Sequence, residues 1–200
     1  MTTITASQVS ELRARTGAGM MDCKKALSET NGDIDAAIEH LRKTGIAKAE
    51  KKSDREASEG LVHSYIHPGG RVGVLIQVSC ETDFVAKTDD FVNLVKDLAM
   101  QVAATSPRAV RREEIPESVV AKEREVFLAQ MGDHKKPPEV MEKILSGKVD
   151  KFFAETVLLE QPFIKDDSRT VDILVKEFSG RLGENIVVRR FARFALGEGA

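Results

Sequence analysis

Val72, Val74, Ile76 and Val78 alternate within Arg71–Ser79 and lead into a polar break, after which apolar residues repeat at helical spacing. Strict alternation predicts a strand with one face buried. Phe91, Leu94, Val95, Leu98, Ala99 and Val102 predict an amphipathic helix over about Asp89–Thr105, packed on the sheet. The joint reads Cys80-Glu81-Thr82-Asp83-Phe84-Val85-Ala86-Lys87. Phe84 falls outside both patterns and follows polar and acidic residues. A phenylalanine there either folds back as a local plug or stands out for a partner, and the residues alone leave both open.

Upstream, Leu61-Val62-His63-Ser64-Tyr65-Ile66 leads into His67-Pro68-Gly69-Gly70, whose proline and paired glycines mark the turn of a hairpin. Residues 1–46 read as a small three-helix unit. Thr5 and Gln8 form a capping box, with Ile4 and Val9 placed for a hydrophobic staple, so a helix starts at Ala6 and stops near Thr16-Gly17. Gly17 and Gly19 allow a tight reversal. The second helix sets Met20, Cys23 and Leu27 along one face, with core packing expected for Met20 more than for Met21. Asp33 is the next N-cap. Ile34, Ala37, Ile38 and Leu41 follow, and the helix is expected to end at Thr44-Gly45. Residues 47–59 are charged almost all round and predict a solvated linker helix that lets the bundle move relative to the rest.

Residues 60–200 form the remaining core. Glu117–Met131 predicts a helix with Val120, Phe127, Leu128 and Met131 on one side, and residues 132–138 are the most loop-like stretch. Short helices are expected around Val140–Leu145 and Val149–Val157. Pro162 makes Leu159–Phe163 extended. Val171, Leu174, Val175 and Phe178 define a last helix, and Asn185–Leu196 a last strand carrying Phe191 and Phe194. The class is α+β: a three-helix bundle followed by a helix-rich core with a small antiparallel sheet.

Several function classes fall away. A net charge of −2 argues against a general nucleic-acid binder. No run is long enough to cross a bilayer, and Met1-Thr2-Thr3-Ile4-Thr5 lacks the parts of a signal peptide. Cys23 and Cys80 form no CxxC pair and read as free thiols of a reducing compartment, the cytoplasm. Both lie on apolar faces without a base nearby, so no nucleophile is expected. The histidines at 40, 63, 67 and 134 make no metal-ligand pattern. Gly17-Ala18-Gly19 lacks the spacing of a phosphate-binding loop. No catalytic residue, metal or cofactor is expected.

Glu11-Leu12-Arg13-Ala14-Arg15-Thr16-Gly17-Ala18-Gly19-Met20-Met21-Asp22-Cys23-Lys24-Lys25-Ala26-Leu27 resembles the N-terminal signature of the bacterial translation elongation factor Ts family. Glu81-Thr82-Asp83-Phe84-Val85-Ala86-Lys87 resembles its second signature. Leu159-Glu160-Gln161-Pro162-Phe163 and Asn185-Ile186-Val187-Val188-Arg189-Arg190 resemble further family segments. The three-helix unit resembles a ubiquitin-associated (UBA-like) module. Longer family members carry a duplicated core, whereas one hairpin is found here.

The resemblance implies guanine-nucleotide exchange on elongation factor Tu, in its GDP-bound and nucleotide-free forms, without bond chemistry. Thr82, Asp83, Phe84 and Val85 are then the segment that shifts the ligands of the partner's magnesium. Phe84 enters an apolar gap between helices of Tu, and Asp83 adds polar contacts. Met20 and Met21 become an N-terminal partner contact. A single core implies a homodimer, with the terminal strand as candidate interface. No membrane or direct nucleic-acid contact is implied. The alternatives are a UBA-like protein-binding adaptor without exchange activity and a thiol-dependent enzyme using Cys23 or Cys80.

Overall fold

The computed structural model describes residues 4–131 and 137–198. It is α+β, with helices α1 (Ala6–Thr16), α2 (Met20–Glu29), α3 (Ile34–Glu50), α4 (Asp83–Ala86), α5 (Asp89–Thr105), α6 (Glu117–Met131), α7 (Pro138–Thr156) and α8 (Val171–Leu182). Strands β1 (Glu59–Ile66), β2 (Val72–Cys80) and β5 (Val187–Ala195) form an antiparallel sheet in the order β1-β2-β5. Strands β3 (Pro162–Phe163) and β4 (Asp166–Thr170) pair separately, Phe163 opposite Asp166. The hairpin closes where His67 N donates to Val72 O, and Val74, Ile76, Val78 and Cys80 are buried as the alternation requires.

The chain divides into two units. One gathers the residues up to Leu61 with Ser79–Leu94 and Ile173–Val187. Its first helix is held by the expected capping box, with Gln8 N and the Thr5 side chain bonded, and ends at Gly17 in the left-handed conformation (φ 68°). Val9, Leu12, Cys23, Ala26, Leu27 and Ala37 form its small core, with Ile4, Ile34, Ile38 and Leu41 packed on them. Asp33 caps α3 through Ala36 N. Helix α8 lies against this bundle. Arg42 pairs with Glu177, Lys176 with Glu50 at 3.6 Å, and the Arg181 side chain fills the space over Gly17.

Helix α3 does not stop at Thr44-Gly45. It runs on to Glu50, turns over residues 51–54, and residues 56–58 carry no regular structure, so there is no separate helix over 47–59. Two causes are visible. The Thr44 hydroxyl bonds back to His40 O within the helix, and Gly45 supplies a flat spot against which Gly180 of α8 packs. Alanines in this stretch are also used as core, since Ala49 and Ala57 are buried.

The second unit gathers Val62–Val78, Val95–Asp172 and the residues from Val188 on. Ala109, Ile115, Val149, Phe152, Phe153 and Val157 form a cluster on which Val119, Val120 and Phe127 pack. Leu128, expected beside them, is exposed. The two short helices expected after Pro138 are one, α7, because Leu145, Val149 and Phe152 keep one buried stripe across Ser146-Gly147. That burial outweighs the roughly 1 kcal/mol cost of an interior glycine. Leu158–Glu160 is a tight helical turn rather than extended; the backbone straightens only at Gln161 and pairs at Pro162–Phe163. Buried Gln101 accepts from Ile164 N and donates to Pro162 O and Gln161, which satisfies its amide. Most of the loop-like stretch, residues 132–136, and the Met131 side chain lie outside the described residues.

Candidate functional site

Phe84 sits on a one-turn helix built directly on the end of a buried strand. Cys80 closes β2 and is fully buried. Thr82 then takes an extended backbone (φ −128°, ψ 153°), and its hydroxyl accepts from Val85 N at 3.3 Å, capping α4. This satisfies one of the free N–H groups that open any helix. Two residues past the end of α4, the Thr88 hydroxyl donates to Val85 O and accepts from Phe91 N, so the turn is stitched to α5 as well.

The turn is held from a distant part of the sequence. The Glu184 carboxylate accepts from Glu81 N and Thr82 N, each at 3.0 Å, and from the Thr82 hydroxyl at 2.6 Å. In return, Glu81 Oε1 accepts from Asn185 N at 2.6 Å. The Asn185 amide donates to Ser53 O and Arg55 O, and the Arg55 guanidinium stands 3.6 Å from Glu81. Each of two neighbouring glutamates thus grips the backbone of the other's segment. Charge-assisted bonds of this kind are stronger than neutral ones.

On this frame the four residues take different positions. Thr82 and Val85 are half-buried and Ala86 is buried, anchoring the turn. Asp83 is partly exposed and bonds to Lys87 at 2.6 Å; that ammonium holds its carboxyl below the usual carboxylate range. Phe84 is 80 % exposed. The plug alternative fails on that number, because a plug is covered by its own chain. Beneath the turn, burial pushes the Cys80 thiol up to about 11, with the Glu184 charge adding to it, and its Sγ donates to Thr82 O. Cys80 is therefore a protonated core thiol at neutral pH, not a nucleophile.

Met20 and Met21 belong to another element of the same unit, the start of α2. Met21 is 75 % exposed as expected, but Met20 is 52 % exposed rather than packed in the core. The buried stripe of α2 is Cys23, Ala26 and Leu27, and Met20 shares that face but is the first residue of the helix, beyond the buried part of the stripe. Among the described residues no group of three or more histidine, cysteine or acidic side chains is placed to hold a metal. No helix there is long and apolar enough to cross a membrane.

Glu184 and its tie to the turn were not anticipated. It lies just after α8, next to the family segment that begins at Asn185, and one glutamate in a charged chain carries no local mark.

A family model described as "Elongation factor TS" matches residues 3–198, which takes in the capped bundle, the Thr82–Val85 turn and its Glu184 clasp. The chain belongs to the elongation factor Ts family. Among curated relatives it is similar to elongation factor Ts of Moorella thermoacetica, 61 % identical over 196 residues that cover 98 % of this chain and 97 % of the relative. It is 59 % identical to elongation factor Ts of Syntrophomonas wolfei, covering 98 % of this chain and 92 % of the relative. Elongation factor Ts of Geobacter sulfurreducens is 55 % identical, with 98 % and 91 % covered.

Proposed function

We propose that this chain is a guanine-nucleotide exchange factor for elongation factor Tu, acting in translation elongation in the cytoplasm without bond chemistry or a cofactor of its own. The observation that carries the reading is Phe84: a large apolar side chain, 80 % exposed, fixed at the tip of a capped and clasped turn in an elongation factor Ts chain. Holding such a side chain in water has no benefit to the free protein, whereas a partner's apolar gap covers it.

Phe84 enters between helices of Tu, and Asp83 adds polar contacts beside it. Displacing the ligands of the partner's magnesium leaves the phosphate charge of GDP less neutralised, which weakens ion and nucleotide together. Because the factor favours nucleotide-free Tu over the GDP-bound form, factor and GDP weaken each other's affinity reciprocally. The exposed Met20 and Met21 are a second contact, carried by the UBA-like module of residues 1–46. The functional division is that module, the charged segment 47–59 and the core 60–200.

We also propose a homodimer. An apolar groove in the second unit is lined by Ile66, Leu75, Phe194 and Leu196, all exposed, and two-fold pairing of this surface covers it. The deciding experiment for exchange is release of fluorescent GDP from purified Tu with and without this chain. Acceleration that rises with chain concentration and saturates is expected; an unchanged release rate overturns the exchange reading.

A further inference from the structure

We propose that Glu184 is the positioning residue of the exchange turn, a role that rests on the exchange reading above. Phe84 has almost no packing of its own, so the direction it points is set by the backbone beneath it. That backbone leaves β2 at Cys80, and the next two N–H groups, Glu81 and Thr82, are both taken by one oxygen of Glu184 while the other oxygen takes the Thr82 hydroxyl. The same hydroxyl receives Val85 N, so the carboxylate, the N-cap and the α4 turn form one chain of bonds.

Glu184 is itself held in place. Gly183 ends α8 with φ 80°, a conformation suited to glycine, and reverses the chain toward the turn. The Ser179 hydroxyl donates to the Glu184 carbonyl, and Asn185 N is fixed on Glu81. A carboxylate fits the site better than a neutral side chain, because it offers two acceptor oxygens to three donors and has no proton of its own to misplace. Without it the turn still forms from its own cap, but it is free to swing, and only the fraction correctly placed is competent.

The test follows fluorescent-GDP release from Tu against increasing concentration of the full chain for wild type, Glu184→Ala and Glu184→Gln. Amide hydrogen exchange at Glu81 and Thr82 is measured on the same samples without Tu. Glu184→Ala should lower the release rate at saturation about tenfold per folded molecule. The half-saturating concentration should stay within about twofold, because the rest of the contact surface is intact. Its two amides should exchange faster. Glu184→Gln, whose amide oxygen still accepts from both N–H groups, should recover most of the rate. A folded Glu184→Ala chain with the wild-type saturating rate overturns the proposal, as does a loss seen wholly in the half-saturating concentration. If Glu184→Ala does not fold, Glu184→Asp replaces it: a comparable fall at saturation supports the role and an undiminished rate overturns it. Failure of the exchange reading is distinct: wild type then releases no GDP, while protected Glu81 and Thr82 amides still report the clasp.

Discussion

The carbonyl oxygen of Gly45 lies 2.5 Å from where a side chain on Gly180 would begin, and the Gly45 Cα is 2.7 Å from the same point. Helices α3 and α8 meet there backbone to backbone. The relationship is one-sided, because a side chain added at Gly45 would meet nothing within 4 Å. Gly180→Ala should therefore destabilise by about 1–3 kcal/mol through overpacking against an unyielding backbone. Gly45→Ala should instead hold stability or raise it by about 0.5–1 kcal/mol, the usual gain of alanine over glycine within a helix. Denaturant unfolding of the two single variants checks this, and equal losses at both positions would contradict it.

Phe84→Ala should leave the fold intact, since an exposed ring contributes little to the free chain. Burial of a phenylalanine in a partner is worth about 1.5–3 kcal/mol, which corresponds to a fall of about ten- to a hundredfold in exchange efficiency. Melting temperature and GDP release are measured on one sample. A clear drop in melting temperature with normal activity per folded molecule is the outcome that sinks the wedge.

Cys80 gives the protein an alkaline weakness with a defined sign. Burial raises the folded thiol from 9.0 to about 11, so above pH 9 the unfolded chain loses a proton that the folded chain keeps. Stability from this group is full below pH 9 and is lost as pH rises toward 11, at up to about 1.4 kcal/mol per pH unit. The measurement is a difference, so that contributions from other groups cancel. Unfolding free energy of wild type minus that of Cys80→Ala, followed from pH 8 to 11, should decline; a flat difference would show that the thiol ionises equally in both states.

Phe194 is 72 % exposed in the apolar groove of the second unit. If two copies cover that groove, Phe194→Lys should give a folded monomer, because an ammonium desolvated without a partner is costly. Sedimentation equilibrium over a wide concentration range compares the two chains. A wild-type chain that stays monomeric while fully active in exchange removes the dimer.

What could be read in advance was what is local. Thr5, Gln8 and Asp33 act through neighbours three residues away, and their caps are present as expected. The β2 alternation and the α5 stripe are equally self-contained, which is why Phe84 stood out between them. Thr44-Gly45 was read as a stop and a break was placed between Leu145 and Val149, yet tertiary contacts carry both helices through: Gly180 at the first, the buried Leu145 and Val149 at the second. Met20 was placed in the core by spacing alone, although a helix's first residue often lies past the edge of what covers its stripe. Glu184 was invisible for a simpler reason, since its partners stand more than a hundred positions upstream.

That separation has a consequence in time. Thr82 and Glu184 are 102 residues apart, so a ribosome adding about 5–20 residues per second needs roughly 5–20 s to go from one to the other. During that interval Phe84 is already made while its brace is not. On the proposed exchange reading, a growing chain is a weaker competitor for Tu until α8 and Glu184 are in place. If Glu184 positions the turn as proposed, the order of synthesis delays the working turn until residue 184 has been made.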